Sequence, residues 1–137
     1  MNSNNAASIK HRILCVDDEI IGTRMRGEVL KEHGYSVVLY HCPLAALRCD
    51  LSIFDLAVLD FQMPGLNGRE LLLSMRALGA RFPTVLLTGC LDELSNEERI
   101  LFTRCLDKGT PIQRLLETLD ECLNPNQVPD CCIRRRL

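Results

Sequence analysis

Short apolar runs of strand length alternate along the chain with stretches in which apolar residues recur at helical spacing. Three of these runs are continuously apolar, which is typical of strands that helices cover on both faces. The pattern therefore predicts a parallel sheet. The predicted strands are residues 13–16, 35–40, 56–59, 84–87 and 104–106.

The segment after the first strand predicts a helix with one apolar face. Ile21, Met25 and Val29 lie four residues apart, so they share a side of that helix. Gly34 follows as the expected C-terminal cap.

Four further helices are predicted between and after the other strands. The second begins at Pro43, and a short fourth helix follows a capping box at residues 95–98, SNEE. The last helix has Thr110 as its predicted cap and Pro111 at its first position. The third helix carries Leu71, Leu72, Met75 and Leu78. The last helix has an apolar stripe that we assign to the core, made of Ile112, Leu115, Leu116, Leu119 and Leu123.

Strict alternation of five strands with helices predicts a doubly wound α/β fold, a parallel sheet with helices on both faces. In such sheets ligands bind beside the carboxyl ends of the strands. The second predicted strand ends in no obvious chemical group. The other four end in polar or charged residues, namely Asp17 and Asp18, Asp60, Thr88, and Asp107 with Lys108.

Each of these residues also has a structural explanation. Asp18 could cap the first helix, Asp60 could open the turn before Pro64, and Lys108 could be a solvated charge. Together they are harder to explain in this way, because topology places three carboxylates at one edge of the sheet, where they repel one another. A hard cation would relieve that repulsion.

Mg²⁺ fits this set, since it prefers oxygen ligands and commonly binds one or two carboxylates together with phosphate oxygens. Lys108 and the hydroxyl of Thr88 could then hold a phosphoryl group. A carboxylate can itself be the nucleophile and form an aspartyl phosphate. Asp60, at the end of a buried strand, is the predicted nucleophile.

Four short segments resemble one family in order and approximate spacing: VDDE at 16–19, LDFQMPGLNG at 59–68, LLTG at 86–89 and DKGTP at 107–111. The chain is similar to the receiver domain of two-component response regulators, of the stand-alone, chemotaxis-regulator-like type, over about residues 12–123. The resemblance implies a flavodoxin-like sheet with strand order 2-1-3-4-5.

The resemblance also implies a role for each site residue. Asp60 would be the phosphoacceptor. Mg²⁺ would be bound directly by Asp18 and Asp60, largely through water by Asp17, and by the backbone carbonyl of Gln62. The remaining implied roles are phosphoryl binding and switching by Thr88 and Lys108, and control of water access by Gln62 and Cys90.

The sequence departs from the family pattern at two positions. The family usually has proline directly after the lysine, whereas Gly109 and Thr110 intervene here. A cis proline is therefore not expected. The family commonly has an aromatic residue three positions before the lysine, and that position is Cys105, so the phosphorylation signal must be read out differently.

Composition limits the possible partners. The 137 residues suffice for one domain, and the net charge of -2 offers no positive field for nucleic acid. No apolar stretch is long enough to span a bilayer, and the start resembles no signal peptide, so we expect a cytoplasmic protein. The eight scattered cysteines are expected to be reduced thiols rather than a metal or disulfide framework.

We divide the chain into a disordered tail (1–10), the receiver domain (11–123) and a flexible tail (124–137). The predicted function is a signalling phosphoacceptor, which takes phosphate from a histidine kinase or histidine phosphotransfer protein and changes its affinity for a protein partner. The alternative is a Mg²⁺-dependent phosphohydrolase with an Asp nucleophile. Many such enzymes have a second Asp where this chain has Gln62, and they usually carry a cap, for which no insertion here is long enough.

Overall fold

The computed structural model describes residues 10–125, in which strands and helices alternate. The strands are β1 (Arg12–Val16), β2 (Ser36–Tyr40), β3 (Leu56–Leu59), β4 (Thr84–Thr88) and β5 (Arg104–Asp107). The helices are α1 (Ile20–Glu32), α2 (Pro43–Leu47), α3 (Gly68–Ala77), α4 (Asn96–Arg99) and α5 (Ile112–Leu123). Two 3₁₀ turns cover Leu51–Ile53 and Leu91–Glu93.

The five strands form one parallel sheet in the order β2-β1-β3-β4-β5. This confirms the predicted doubly wound fold and its strand order. All five strands lie within a residue of their predicted limits. The chain order reverses at β1, so the ends of β1 and β3 lie side by side at the centre of the sheet.

Each face of the sheet has its own apolar core. The central strands β1, β3 and β4 are buried apart from Arg12, whereas the edge strands β2 and β5 are half-buried. On one face Leu14 and Leu59 pack with Leu71 of α3. On the other face Ile13 packs with Leu30 of α1 and with the buried leucines of α5. This is why the central strands are apolar on both sides.

The buried face of α1 is not the one that the apolar spacing marked, although Val29 packs partly against the core. The helix buries Thr23, Gly27 and Leu30, while Ile21 is 73% exposed and Met25 66% exposed. A Cβ at position 27 would lie only 3.3 Å from a methyl group of Leu39. Glycine therefore allows the buried face of the helix to approach β2 closely.

The cap predictions have mixed outcomes. The capping box of Ser95 and Glu98 is confirmed, and Gly34 has the positive φ (106°) of a residue that follows a helix end. Thr110 does not cap α5, because the helix begins at Ile112 and the cap position is occupied by Pro111, which has no side-chain acceptor. Pro111 instead uses its carbonyl, which accepts a bond from the N–H of Arg114.

The two predicted tails, 1–10 and 124–137, lie almost entirely outside the described residues, because the structure describes neither 1–9 nor 126–137. Within residues 10–125, no helix has the length and apolar character needed to cross a bilayer. No disulfide joins cysteines of this part of the chain.

Candidate functional site

Three carboxylates meet at the carboxyl edge of the sheet. Asp17 and Asp18 follow β1, Asp60 follows β3, and each has a carboxylate oxygen within 4.8 Å of one from the other two. Asp17 is 4% exposed and Asp60 is 6% exposed, whereas Asp18 is open to solvent. Two buried acids and one exposed acid thus share a small volume.

The backbone holds this cluster rigidly. The N–H of Asp60 donates to the carbonyl of Val16 at 3.0 Å, which continues the parallel ladder past the end of β3. The Asp60 carboxylate accepts a 2.8 Å bond from the N–H of Phe61. A Cβ at Gly68 would lie 2.5 Å from the Asp60 carbonyl oxygen, so only glycine allows α3 to begin this close to the site.

Lys108, directly after β5, contacts two of the acids. Its Nζ lies 2.8 Å from Oδ2 of Asp17 and 3.4 Å from Oδ2 of Asp60. Partial burial opposes the lysine charge, but the hydrogen bond and charge of Asp17, together with those of Asp60, outweigh it and raise the Lys108 pKa. Lys108 therefore stays protonated at the site.

The surroundings of Asp60 disfavour its charged form. Burial and the neighbouring charge of Asp17 raise its pKa above the usual range, and Lys108 compensates only in part. A further cation would therefore stabilise the cluster. The donors are carboxylate oxygens within 4.8 Å of one another, which are the ligands that Mg²⁺ prefers. Asp17, Asp18 and Asp60 thus fit a hard divalent cation.

The other predicted site residues lie at the same edge of the sheet, at or after the ends of β3 and β4. Thr88 is the last residue of β4, and its buried hydroxyl lies 3.3 Å from the thiol of Cys90, which is also buried. Gln62 is exposed in the loop after Asp60. The structure thus gives Cys90 a specific neighbour that its spacing in the sequence did not reveal.

Two residues that contact Asp17 were missed. His41 follows β2, where we expected no chemical group, and its Nδ1 lies 2.9 Å from the Asp17 carbonyl oxygen, so this ring nitrogen is the donor. Arg26 of α1 reaches the other end of Asp17, with Nη2 at 2.9 Å from Oδ2. His41 could have been found by the same inspection of strand ends that found the acids, because it follows Tyr40, the last residue of β2, directly. No sequence signal points to Arg26.

The match to a family model covers nearly all of this arrangement. Residues 13–120 match the model described as the response regulator receiver domain. The alternative interpretation as a phosphohydrolase is not favoured by this match.

Among curated proteins, the chain is 33% identical over 102 residues to the sensor protein GacS of Pseudomonas syringae pv. syringae, which is 70% of this chain and 11% of that protein. It is 39% identical over 77 residues to the transcriptional regulatory protein RprY of Bacteroides fragilis, 56% of this chain and 32% of that protein. The chain thus corresponds to a minor part of both proteins.

Two solved structures match this chain over nearly their whole length. The response regulator TrrA of Thermotoga maritima, in complex with Mg(2+)-BeF, matches with a TM-score of 0.75 and 29% identity, over 82% of this chain and 99% of that one. A CheY-like receiver domain protein from Methanospirillum hungatei matches with a TM-score of 0.74 and 26% identity, over 85% and 96% of the two chains. This chain belongs to the receiver domain family of two-component response regulators.

Proposed function

We propose that the chain is a phosphoacceptor module in which Asp60 receives the phosphoryl group. The observation that carries the proposal is the buried Asp60 carboxylate, which lies within 4.8 Å of carboxylate oxygens of Asp17 and Asp18 and 3.4 Å from the Lys108 ammonium. Few aspartates need such surroundings for structure alone. A nucleophile on a rigid strand end does need them, because it must meet its donor in a fixed orientation.

The proposed reaction is a phosphoryl transfer. An oxygen of Asp60 attacks phosphorus, the bond from phosphorus to the donor's imidazole nitrogen or acyl oxygen breaks, and the leaving group keeps that electron pair. Mg²⁺, held by Asp17, Asp18, Asp60 and the carbonyl of Gln62, would neutralise charge on the phosphoryl oxygens.

The remaining residues act on the product. The Lys108 ammonium can pair with a phosphoryl oxygen, and the Thr88 hydroxyl, which hydrogen-bonds Asp60, can donate to another. Gln62 and Cys90 flank the path of the water that later hydrolyses the acyl phosphate. These assignments are supported by the edge of the sheet that the residues share and by the receiver family.

We further propose that the donor is a histidine kinase or a histidine phosphotransfer protein and that the phosphorylated domain binds a downstream protein partner. The charge of the chain favours neither nucleic acid nor a membrane surface as a direct partner. In this proposal the domain signals through its lifetime in the phosphorylated form, and its only chemistry is phosphorylation and dephosphorylation of itself.

Phosphorylation with a small donor tests the proposal. Acetyl phosphate with Mg²⁺ should add one acid-stable, base-labile phosphoryl group to the wild type and none to Asp60→Asn, since an amide is neither nucleophile nor anionic ligand. Asp55→Asn, a change at the opposite end of the same strand, is the matched control and should label normally. Equal labelling of the Asp60→Asn variant would disprove the proposal.

A further inference from the structure

Arg26 brings a second fixed positive charge to the acidic cluster, in addition to Lys108. Its Nη2 lies 2.9 Å from Oδ2 of Asp17, and the two side chains are only 22% and 6% exposed. The same nitrogen donates to Oγ1 of Thr23 at 3.2 Å, and that hydroxyl donates in turn to the Glu19 carbonyl. The guanidinium is therefore held in place from two sides.

The orientation of Asp17 does not depend on Arg26 alone. Its Oδ1 accepts the N–H of Glu19 at 2.9 Å, and its Oδ2 also contacts Nζ of Lys108 at 2.8 Å. Without Arg26, these two contacts would still fix the carboxylate. The main consequence of Arg26 is therefore its charge, which no accessible pH removes.

That charge opposes the binding of a cation. The three carboxylates carry three negative charges, and Arg26 with Lys108 already compensates two of them. The Arg26–Asp17 pair is mostly buried, so solvent and salt screen the guanidinium charge poorly. That charge therefore acts strongly on any cation that the acidic cluster binds.

We propose that Arg26 is a built-in counter-charge that lowers the Mg²⁺ affinity of the acidic cluster and so sets the Mg²⁺ concentration at which the domain can be phosphorylated. This inference rests on the proposed function, because it concerns the same metal site. It differs from a role in orienting Asp17, which would predict weaker binding of Mg²⁺ when Arg26 is replaced.

Direct titration with Mg²⁺ by calorimetry, without a phosphodonor, tests the inference. Arg26→Gln and Arg26→Met remove the charge but keep a long side chain, and we expect both to bind Mg²⁺ about tenfold more tightly. Arg26→Lys should keep near wild-type affinity. The matched control is Arg24→Gln, which removes the same charge from an exposed position of the same helix and should change the affinity less than about twofold.

Circular dichroism melting of every variant shows whether it is folded at the temperature of titration. Unchanged or weaker Mg²⁺ binding by folded Arg26→Gln and Arg26→Met, beside normal binding by the wild type, would overturn the inference and leave the proposed function intact. Equal tightening in Arg24→Gln would also overturn it, because the effect would then be one of net charge. Absence of Mg²⁺ binding in all variants and in the wild type would overturn both proposals.

Discussion

The two neighbouring acids after β1 have different surroundings. Asp17 is buried, and both of its carboxylate oxygens already accept bonds from Glu19, Arg26 or Lys108. Asp18 is exposed. A carboxylate that is already compensated has less charge to offer a metal, so the structure favours Asp18 as the direct ligand.

We therefore expect Asp18→Ala to weaken Mg²⁺ binding about tenfold more than Asp17→Ala does, since a direct ligand contributes more than one that acts through water. Calorimetric titration of both variants with Mg²⁺ checks this. Equal losses of Mg²⁺ affinity would show that Asp18 is not the direct ligand with Asp17 acting through water.

The two residues beside the proposed water path also differ. Gln62 is exposed and its amide can bond a water, whereas the Cys90 thiol is buried 3.3 Å from the Thr88 hydroxyl. We expect Gln62→Ala to slow dephosphorylation about fivefold, the equivalent of one hydrogen bond, and Cys90→Ala to change it less. Phosphate release from the phosphorylated variants measures both rates. A larger change in Cys90→Ala would reverse the assignment.

At the residue scale the sequence predicted the acids and Lys108 but not the second counter-charge, Arg26. Asp17, Asp18 and Asp60 could be found because parallel strands end at a common edge. Arg26 could not, because the apolar spacing of α1 marks a different face from the buried one. With Thr23, Gly27 and Leu30 turned inward, residue 26 lies beside the buried face and reaches the site. Apolar spacing does not register a small residue, such as Gly27, that permits close packing.

Among the elements, β5 and α4 are joined by a side chain at a position where this chain departs from the family pattern. At the position of the family's usual aromatic residue, the Cys105 thiol is half-buried and donates to the carbonyl of Arg99, at the end of α4, over 3.5 Å. Cysteine has no ring that could swing inward on phosphorylation. We therefore expect a change that begins at Thr88 to pass through the backbone that follows it.

Hydrogen exchange with and without beryllofluoride should therefore show larger protection changes in residues 89–102 than in residues 104–106. Coupling of this kind needs only about 1 to 3 kcal/mol, which rearrangement of a loop can supply. Changes concentrated in residues 104–106, with an unaffected segment 89–95, would contradict this route.

Across the whole molecule, hydrogen bonds join α5 to the segment that follows α1, at the end of the sheet opposite the site. The hydroxyl of Tyr35 donates to the Asp120 carboxylate of α5, and Nε2 of His33 lies 3.1 Å from the other oxygen of that carboxylate. Burial, followed by the hydrogen bond with Asp120, raises the Tyr35 pKa. These contacts join the first third of the chain to its last helix.

A raised phenol pKa means that the folded state prefers the protonated hydroxyl. Its contribution to stability is fully present below the unfolded pKa of about 10 and is lost as the pH rises above that value. We expect Tyr35→Phe to lower the free energy of unfolding by about 1 to 2 kcal/mol at pH 7, and the difference from wild type to shrink near pH 11. Urea denaturation at both pH values measures this. A constant difference would contradict the role of the hydroxyl.

The fold as a whole was more predictable than the contacts within it. Continuous apolar runs in β1, β3 and β4 and the alternation of five strands with helices predicted a doubly wound sheet, because that arrangement buries both faces of the central strands. The hydrogen bond between Tyr35 and Asp120 could not be predicted from the sequence, since 85 positions separate the two residues and neither belongs to a motif.

The central claim, that Asp60 is the phosphoacceptor, is tested most directly by chemical trapping of the acyl phosphate. Borohydride reduces a phosphorylated aspartate to homoserine, so peptide mass spectrometry after treatment with acetyl phosphate and Mg²⁺ identifies the residue that was modified. Homoserine at position 60, absent when either reagent is omitted, is the result expected here. Homoserine at another aspartate, or none in a domain that is otherwise labelled, would contradict the account.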